Sequence, residues 1–450
     1  MGSERTRPAG RPGRRVLVLG AGPVGLEAAL YALSLGYDAR VVEAGRVGEQ
    51  VLEWGHARMF SPWAMNCSPL GLGTLAARGL APYGDGSVCP TGRELVERYL
   101  VPLARQTPLR GRIARGTRVV AVGRDGLLKG DLTGIPERGR SPFRILVVRD
   151  GRETILHADL VIDATGTYVR HRFLGDGGIP APGEIEAAER IDYRLVDLEG
   201  PRGRDFAGRR VLLVGAGHSA ATSAAGLAAI VEKEPRTRVL WAYRATRDPL
   251  YPRRPDDPLP SRDRLAALAN RLARKEVGAI ETLPGTVIEA IAPGPRSTAG
   301  RAKPLAVTLR SGSRLLRVAV DRIIANVGYA PDRSIHAELQ VHECYATEGP
   351  IKLAAALLGE GGGGGDCLAQ AAPSADLLAN PEPGFYILGS KSYGRNSAFL
   401  LGAGRDQIRA LFAALERDAA LDLYSGRPAA RRPQAARSPA AAPDPGLVPA

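Results

Sequence analysis

Two segments of this chain, about two hundred residues apart, each join an apolar run to a glycine-rich turn and an Ala-rich stretch. That order allows little besides a β-strand, a tight loop and an α-helix. The first reads Val16-Leu17-Val18-Leu19-Gly20-Ala21-Gly22-Pro23-Val24-Gly25, and the second reads Val211-Leu212-Leu213-Val214-Gly215-Ala216-Gly217-His218-Ser219-Ala220. In such a turn the first glycine permits a sharp reversal, the second lets a pyrophosphate approach the backbone, and the third lets the helix pack closely on its strand. Ala220 takes the third position of the second segment and is still small enough for that packing. Both segments predict a dinucleotide-binding βαβ unit, with the pyrophosphate on the positive end of the helix.

The two differ where the next apolar run ends. After the first, Asp38-Ala39-Arg40-Val41-Val42 leads to Glu43, whose carboxylate can accept hydrogen bonds from the ribose hydroxyls of an adenosine. After the second, Val239-Leu240-Trp241-Ala242-Tyr243 leads to Arg244, with Arg247 close behind. A guanidinium fork matches a 2′-phosphate in charge and shape, whereas a carboxylate would repel it. One acid-ended and one arginine-ended site in a single polypeptide point to FAD and NADPH, and so to redox chemistry.

A chain of 450 residues is long enough for two or three domains with substantial cores. Its net charge of +14 looks like a nucleic-acid signal until the charges are placed. Of the 61 basic residues 55 are arginine, and half of the excess lies in two tails, +4 over residues 1–15 and +3 over residues 427–450. These tails are rich in Pro, Ala and Gly and read as disordered. The body carries no basic stripe interleaved with aromatics, so no nucleic-acid partner is expected. No apolar run approaches the length of a membrane span and no targeting signal is evident, so a soluble cytoplasmic protein without a membrane partner is expected. The six histidines form no metal-ligand spacing, and His342-Glu343-Cys344 reads as a surface cluster, so no metal is inferred.

Along the chain, residues 15–44 form the first βαβ unit. Glu94 to Leu103 has a helical pattern. Thr117–Val122, Phe143–Val148, Glu153–Leu156 and Asp159–Ile162 read as strands, the last leading into Asp163-Ala164-Thr165-Gly166. A Gly- and Pro-rich stretch reads as a connector to the second fingerprint. Beyond that come an amphipathic helix around Arg264–Lys275, the run Ile324–Pro331, a loop with Gly361–Gly365, the strand Phe385–Leu388 and a terminal helix between Ala398 and Leu415.

On these features the chain resembles flavoproteins built from two dinucleotide-binding domains: flavin-containing monooxygenases, N-hydroxylating monooxygenases and thioredoxin-reductase-like enzymes. The resemblance rests on the first fingerprint with Glu43, the Ala164-Thr165-Gly166 strand end, the second fingerprint with Arg244, the Ile324–Pro331 crossover and the return strand Tyr386-Ile387-Leu388-Gly389, in that order. It implies an α/β fold of two Rossmann-like domains, the FAD domain discontinuous around an inserted NADPH domain. The expected division is a leader at 1–14, FAD domain at 15–170, connector at 171–208, NADPH domain at 209–330, FAD return segment at 331–425 and tail at 426–450. By the same resemblance FAD would meet Gly20, Gly22, Pro23, Val24, Gly25, Glu43, Trp54, Arg58, Val120, Ala164, Gly166, Gly389 and Ser390. NADPH would meet Gly215, Gly217, His218, Ser219, Ala220 and Arg244. Many relatives carry Gly-Asp at the return strand, where this chain has Gly389-Ser390-Lys391; Ser390 can bond a ribityl hydroxyl, and Lys391 is placed to offset negative charge on a reduced flavin.

Which branch applies turns on what is missing. A dithiol reductase needs two closely spaced thiols, and Cys67, Cys89, Cys344 and Cys367 offer no such pair. The F-x-G-x-x-x-H pattern of many monooxygenases is absent too, since Leu212 stands where its histidine would fall. The expected activity is a single-component monooxygenase using O2 on a small-molecule substrate, with Asn66 and Lys391 as candidate catalytic groups. An NADPH-driven reductase acting on a disulfide, quinone or protein, and a nucleotide-binding sensor without turnover, remain open beside it.

Overall fold

Near-continuous runs of Val, Leu and Ile, buried on both faces, form parallel strands, and this chain builds the same parallel plan twice. The structure is a computed structural model and describes residues 13–253, 257–294, 303–359 and 374–425. Gly361–Gly365 and Cys367 lie outside the described residues. The chain divides into two compact units: residues 1–52, 62–169 and 330–450, and residues 53–61 and 170–329.

In the first unit the elements are β1 (Arg15–Leu19), α1 (Pro23–Ser34), β2 (Asp38–Val42), β3 (Ile113–Ala114), β4 (Thr117–Arg124), β5 (Phe143–Arg149), β6 (Arg152–Ala158) and β7 (Leu160–Asp163). The return strand Phe385–Ile387 and the terminal helix Leu401–Glu416 complete it. Its parallel sheet runs return strand, β7, β1, β2, β3, and β4–β5–β6 form an antiparallel meander. Leu17, Leu19, Phe143, Ile145, Val161 and Phe385 join the two sheets in one buried core. The expected helix over Glu94–Leu103 is present with a change of pitch: a capping box from Thr91 and Glu94 starts it, and Val96–Leu100 widens into a π-helical turn.

The second unit contains β8 (Ile191–Asp192), β9 (Arg210–Val214), α2 (His218–Lys233), β10 (Arg238–Tyr243), α3 (Pro260–Ala273), β11 (Ile280–Pro284), β12 (Thr286–Pro293), β13 (Leu305–Ser311), β14 (Arg314–Val320) and β15 (Arg322–Ala325). The parallel order is β11, β10, β9, β15, β8, and β12–β13–β14 form a second antiparallel meander. In both units the meander comes in the chain just before a strand that pairs with the central fingerprint strand.

Two expectations about domain limits are corrected. Residues 171–208 are more than a connector: they supply β8, and Leu174, Ala181, Val196, Leu198 and Phe206 enter the second unit's cores. Their apolar residues are scattered singly among Gly and Pro, which hid their burial. Residues 53–61, which contain Trp54 and Arg58, pack in the second unit rather than the first; Arg194 pairs with Glu53 there, and Phe60 meets His218 with ring centroids 5.5 Å apart. Among the described residues no helix is long and apolar enough to cross a membrane.

A buried charge cluster ties the return segment to the meander. Glu382 accepts hydrogen bonds from Arg124 Nε at 2.7 Å, Arg138 Nε at 3.0 Å and the Gln340 backbone N–H at 2.8 Å, and all three charged side chains are fully buried. Arg124 also lies over the Phe143 ring at 3.7 Å. Removing the single carboxylate leaves two guanidinium groups buried without a counter-charge. Glu382→Ala is therefore expected to lower folding stability by about 3–5 kcal/mol, measured as a shift in the denaturant midpoint at unchanged slope.

Candidate functional site

The first fingerprint becomes a loop at the carboxyl end of β1, where ligands of open parallel sheets bind. Gly20 has φ +98°, and a Cβ there would lie 2.9 Å from the Ala164 carbonyl oxygen, so the position excludes any side chain. Gly25 is tighter still: a Cβ would stand 2.0 Å from the Gly20 carbonyl oxygen. Gly22, by contrast, faces open space and caps α1 with no side-chain partner. Pro23 at the first helical position has no N–H to satisfy, and the first-turn N–H groups behind it have no intrahelical acceptor.

Glu43 holds this loop in shape. Its carboxylate accepts the Ala21 N–H at 2.7 Å through one oxygen and the Gly45 N–H at 2.8 Å through the other. Each oxygen keeps a lone pair for a ribose hydroxyl. Val24 packs against the positions of Gly389 and Gly404, and Gly166 lies close to Ser390, whose Oγ is 3.4 Å from where a Gly166 Cβ would be. Gly20, Gly22, Pro23, Val24, Gly25, Glu43, Ala164, Gly166, Gly389 and Ser390 are thus gathered at one end of one sheet. Val120 sits on β4 at a bulge between the Val119 and Ala121 pairings, which leaves it out of the β4–β5 ladder.

The second fingerprint repeats the joint. Gly215 has φ +133°, and a Cβ there would be 2.3 Å from the Asn326 carbonyl oxygen; Gly217 faces open space. The loop is braced from outside, because Trp241 Nε1 donates to the Gly215 carbonyl at 2.9 Å and the Tyr251 hydroxyl donates to that of Gly217 at 3.1 Å. Ser223 donates to the Asn326 side chain at 2.7 Å, fixing α2 to the end of β15. Ala220 is fully buried, while His218 opens α2 with its ring near Phe60 and Tyr251. Arg244 follows β10 exposed and makes no ion pair or hydrogen bond among the described residues, although Arg247, Arg253, Arg262 and Arg274 around it all do.

Sequence reasoning missed the charges beneath the first loop. Asp163, the last residue of β7, is fully buried and accepts from Lys391 Nζ at 2.6 Å through one oxygen and from Thr165 Oγ1 at 2.6 Å through the other. His336 lies 3.7 Å from the Lys391-bonded oxygen, and its other ring nitrogen is 3.0 Å from Glu343. Burial alone would raise the Asp163 carboxyl, but Lys391 and then His336 outweigh it and hold the group well below the usual carboxylate range. The expectation for Lys391 is corrected here: its ammonium is committed to Asp163 and Thr165, so it positions that strand end and is not a free charge for a flavin. Only the acid next to Ala164 hinted at this, because its partners lie far along the chain.

Asn66 is buried and its amide donates to the Pro62 carbonyl at 2.9 Å, closing the short helix Trp63–Asn66. It also borders a cavity of about 20 Å³ shared with Val24, Glu27, Ser68, Tyr99 and Arg405. Burial pushes Glu27, on the inner face of α1, up to about 6. Cys67 and Cys344 are free thiols, both buried. Burial pushes Cys67 up to about 12, while hydrogen bonds from Thr347 lower Cys344. Among the described residues no group of three or more His, Cys, Asp or Glu side chains is arranged to hold a metal ion.

No protein-family model and no curated protein matches the chain. Solved structures do. The bacillithiol disulfide reductase Bdr of Bacillus cereus aligns over 90% of this chain and 99% of its own, at TM-score 0.64 and 19% identity. The fold is that of the two-dinucleotide-binding-domain flavoproteins. The ornithine N-hydroxylase KtzI of Kutzneria sp. 744, solved with reduced FAD, NADP+ and L-ornithine, aligns over 90% of this chain and 99% of its own at TM-score 0.58 and 16% identity. The FAD-bound cadaverine monooxygenase DfoA of Erwinia amylovora covers 98% of this chain and 100% of its own, also at TM-score 0.58, with 13% identity.

Two outcomes test this geometry. Gly25→Ala is expected to destabilise the protein by at least about 1–3 kcal/mol through overpacking against backbone, while Gly22→Ala leaves stability unchanged; matched urea titrations of the two variants read the contrast. Lys391→Met strands a buried carboxylate and is expected to cost about 3–5 kcal/mol. Adding Asp163→Asn to Lys391→Met should recover part of that loss, and a double variant no more stable than the single one would show that the pair is not what holds the strand end.

Proposed function

We propose that the chain is an NADPH-dependent, FAD-containing oxidoreductase, and specifically a single-component monooxygenase acting with O2 on a small organic substrate. One observation carries the cofactor assignment: two loops of the same geometry, each with an open glycine at a helix N-terminus, are followed by opposite chemistry, a carboxylate at Glu43 and, at Arg244, a guanidinium with no partner among the described residues. The open directions at Gly22 and Gly217 fit a pyrophosphate, which any side chain would obstruct. FAD supplies hydride acceptance from NADPH and, once reduced, reactivity toward dioxygen.

The chain's own residues do the holding and orienting. The first-turn N–H groups of α1 would hold the FAD pyrophosphate, Glu43 would accept the ribose hydroxyls, and the bulged backbone at Val120 would meet adenine. Ser390 and Gly166 take the ribityl side, with Thr165 and Lys391 fixing the strand end behind them. In the second unit Gly215, Gly217, His218, Ser219 and Ala220 cradle the NADPH pyrophosphate. Arg244 grips the 2′-phosphate.

The thiols favour chemistry at the flavin over a thiol relay. Cys67 is buried and held protonated, and no two described cysteines are bonded or closely spaced in sequence. The fold is shared by the ornithine N-hydroxylase KtzI and the cadaverine monooxygenase DfoA, as it is by the disulfide reductase Bdr. A second reading, an NADPH-driven reductase, is favoured by Cys344 alone. Its thiol is lowered, and the turn it begins hydrogen-bonds through Thr347 to Arg395, just beyond Ser390.

Oxygen uptake matched to NADPH oxidation and product formation, with hydrogen peroxide measured in parallel, tests the oxygenase; a sensor gives no turnover at all. The variant lacking all four cysteines, with retained FAD as its folding control, is expected to keep oxidising NADPH, and loss of turnover on Cys344→Ser alone would favour the reductase. Arg244→Ala removes a charge-assisted contact of about 1.5–3 kcal/mol, so the NADPH preference should fall roughly ten- to hundredfold. NADH use should stay nearly constant, and equal losses with both coenzymes would make Arg244 structural.

A further inference from the structure

The ring of His336 is nearly sealed from solvent, 3% exposed, and both of its nitrogens face carboxylate oxygens. Nε2 is 3.0 Å from Glu343, and Nδ1 is 3.7 Å from the Asp163 oxygen that also accepts from Lys391. A neutral imidazole has one donor and one acceptor, so it would satisfy one carboxylate and turn a lone pair toward the other. The imidazolium suits both, by a hydrogen bond at Glu343 and by charge at Asp163.

The surrounding charges make that proton count. Around His336 stand Asp163 at the end of β7, Lys391 on the turn after the return strand, and Glu343 a few residues along the chain. Arg333 reaches both Glu343 and Glu348 at 3.5 Å, and Arg395 pairs with Glu348 at 2.8 Å. From the return strand the Phe385 ring meets His336, with centroids 5.6 Å apart, and the Arg124 guanidinium of β4 is spent on Glu382. Three carboxylates thus face three cations in these pairs, and a proton on His336 adds one positive charge to them.

That charge lies directly beneath the first nucleotide loop. Asp163 leads into Ala164, whose carbonyl meets the face of Gly20, and Lys391 holds Thr165 beside Gly166 and follows Ser390. Resting on the FAD assignment above, we propose that His336 is a positioning residue whose protonation is linked to FAD binding: the dianionic pyrophosphate favours the imidazolium, so binding draws a proton onto His336. Burial opposes the charge on the ring, but the carboxylates of Asp163 and Glu343 outweigh it and raise the pKa above its ordinary value even without FAD. Linkage gives the sign. A group protonated more strongly in the bound state weakens binding as pH rises through its titration, by at most tenfold per pH unit for one proton.

The experiment uses the full-length protein stripped of flavin. FAD affinity is measured by fluorescence quenching from pH 6 to 9, with calorimetry in two buffers of different ionisation enthalpy, for the wild type and for His336→Gln. The wild type is expected to lose up to tenfold in affinity per pH unit across the histidine's titration and to take up protons on binding; His336→Gln shows neither. Nitrogen chemical shifts of the labelled histidine in the wild type should show an imidazolium at pH 6 and a titration midpoint that rises when FAD is added, and this measurement stands even where the variant does not fold. An unchanged pH slope in His336→Gln, or a midpoint unmoved by FAD, overturns the inference while leaving the FAD reading intact. A wild-type protein that binds no FAD at any pH overturns the FAD reading itself.

Discussion

In each unit a glycine is pressed against the backbone carbonyl that closes a neighbouring strand: Gly20 against Ala164 and Gly215 against Asn326. The contact is unforgiving, because a side chain can rotate away from a clash and a carbonyl at the end of a parallel strand cannot. This contact draws three segments together in each sheet, the fingerprint strand, its helix and a strand arriving more than a hundred residues later. The loop and the helix N-terminus aimed at the nucleotide follow from it. Glu43 in one unit and Trp241 with Tyr251 in the other then keep the loops from relaxing, using hydrogen bonds to the loop backbone and leaving the direction at Gly22 and Gly217 open.

What could be read from the sequence was what is written locally. Val16 to Gly25 specifies strand, turn and helix within ten residues, and the return strand and terminal helix keep their own periodicity. The limits of the units were harder, because Ile191-Asp192 is a two-residue edge strand inside a Gly- and Pro-rich run, and the short stretch holding Trp54 and Arg58 is tied to its unit through contacts with Arg194 and His218 far along the chain. The site was legible in proportion to its backbone content. The glycines, Glu43 and the Ala164–Gly166 strand end carry local signals and lie at one end of one sheet, whereas the assembly of Asp163, His336 and Lys391 draws on three distant segments with no pattern linking them.

The discontinuous first unit is joined across its break by charge as much as by apolar burial. Glu382 is gripped by Arg124 and Arg138, and Lys391 by Asp163, so two buried ion clusters nine residues apart in the return segment each reach back to the earlier stretch. Apolar contacts tolerate a slipped register, but a buried carboxylate with a single set of donors does not. Such pairs set where the return segment docks. They add less to net stability than their number suggests, since much of their attraction is offset by desolvation.

The order of the strands also bears on how the molecule is made. Lys391 lies 228 residues beyond Asp163, and every strand of the second unit falls between them. During synthesis, which proceeds from the N-terminus with domains folding largely as units, the second sheet has all its strands before the return strand leaves the ribosome. Until then β7, with the sequence Leu-Val-Ile-Asp, stands at the rim of an unfinished parallel sheet, its outer backbone groups unpaired and its carboxylate without its lysine. An apolar, unpaired edge is a template for pairing with other chains. The nascent protein's most hazardous interval is therefore the time taken to translate its second unit, and chaperone demand should be concentrated there.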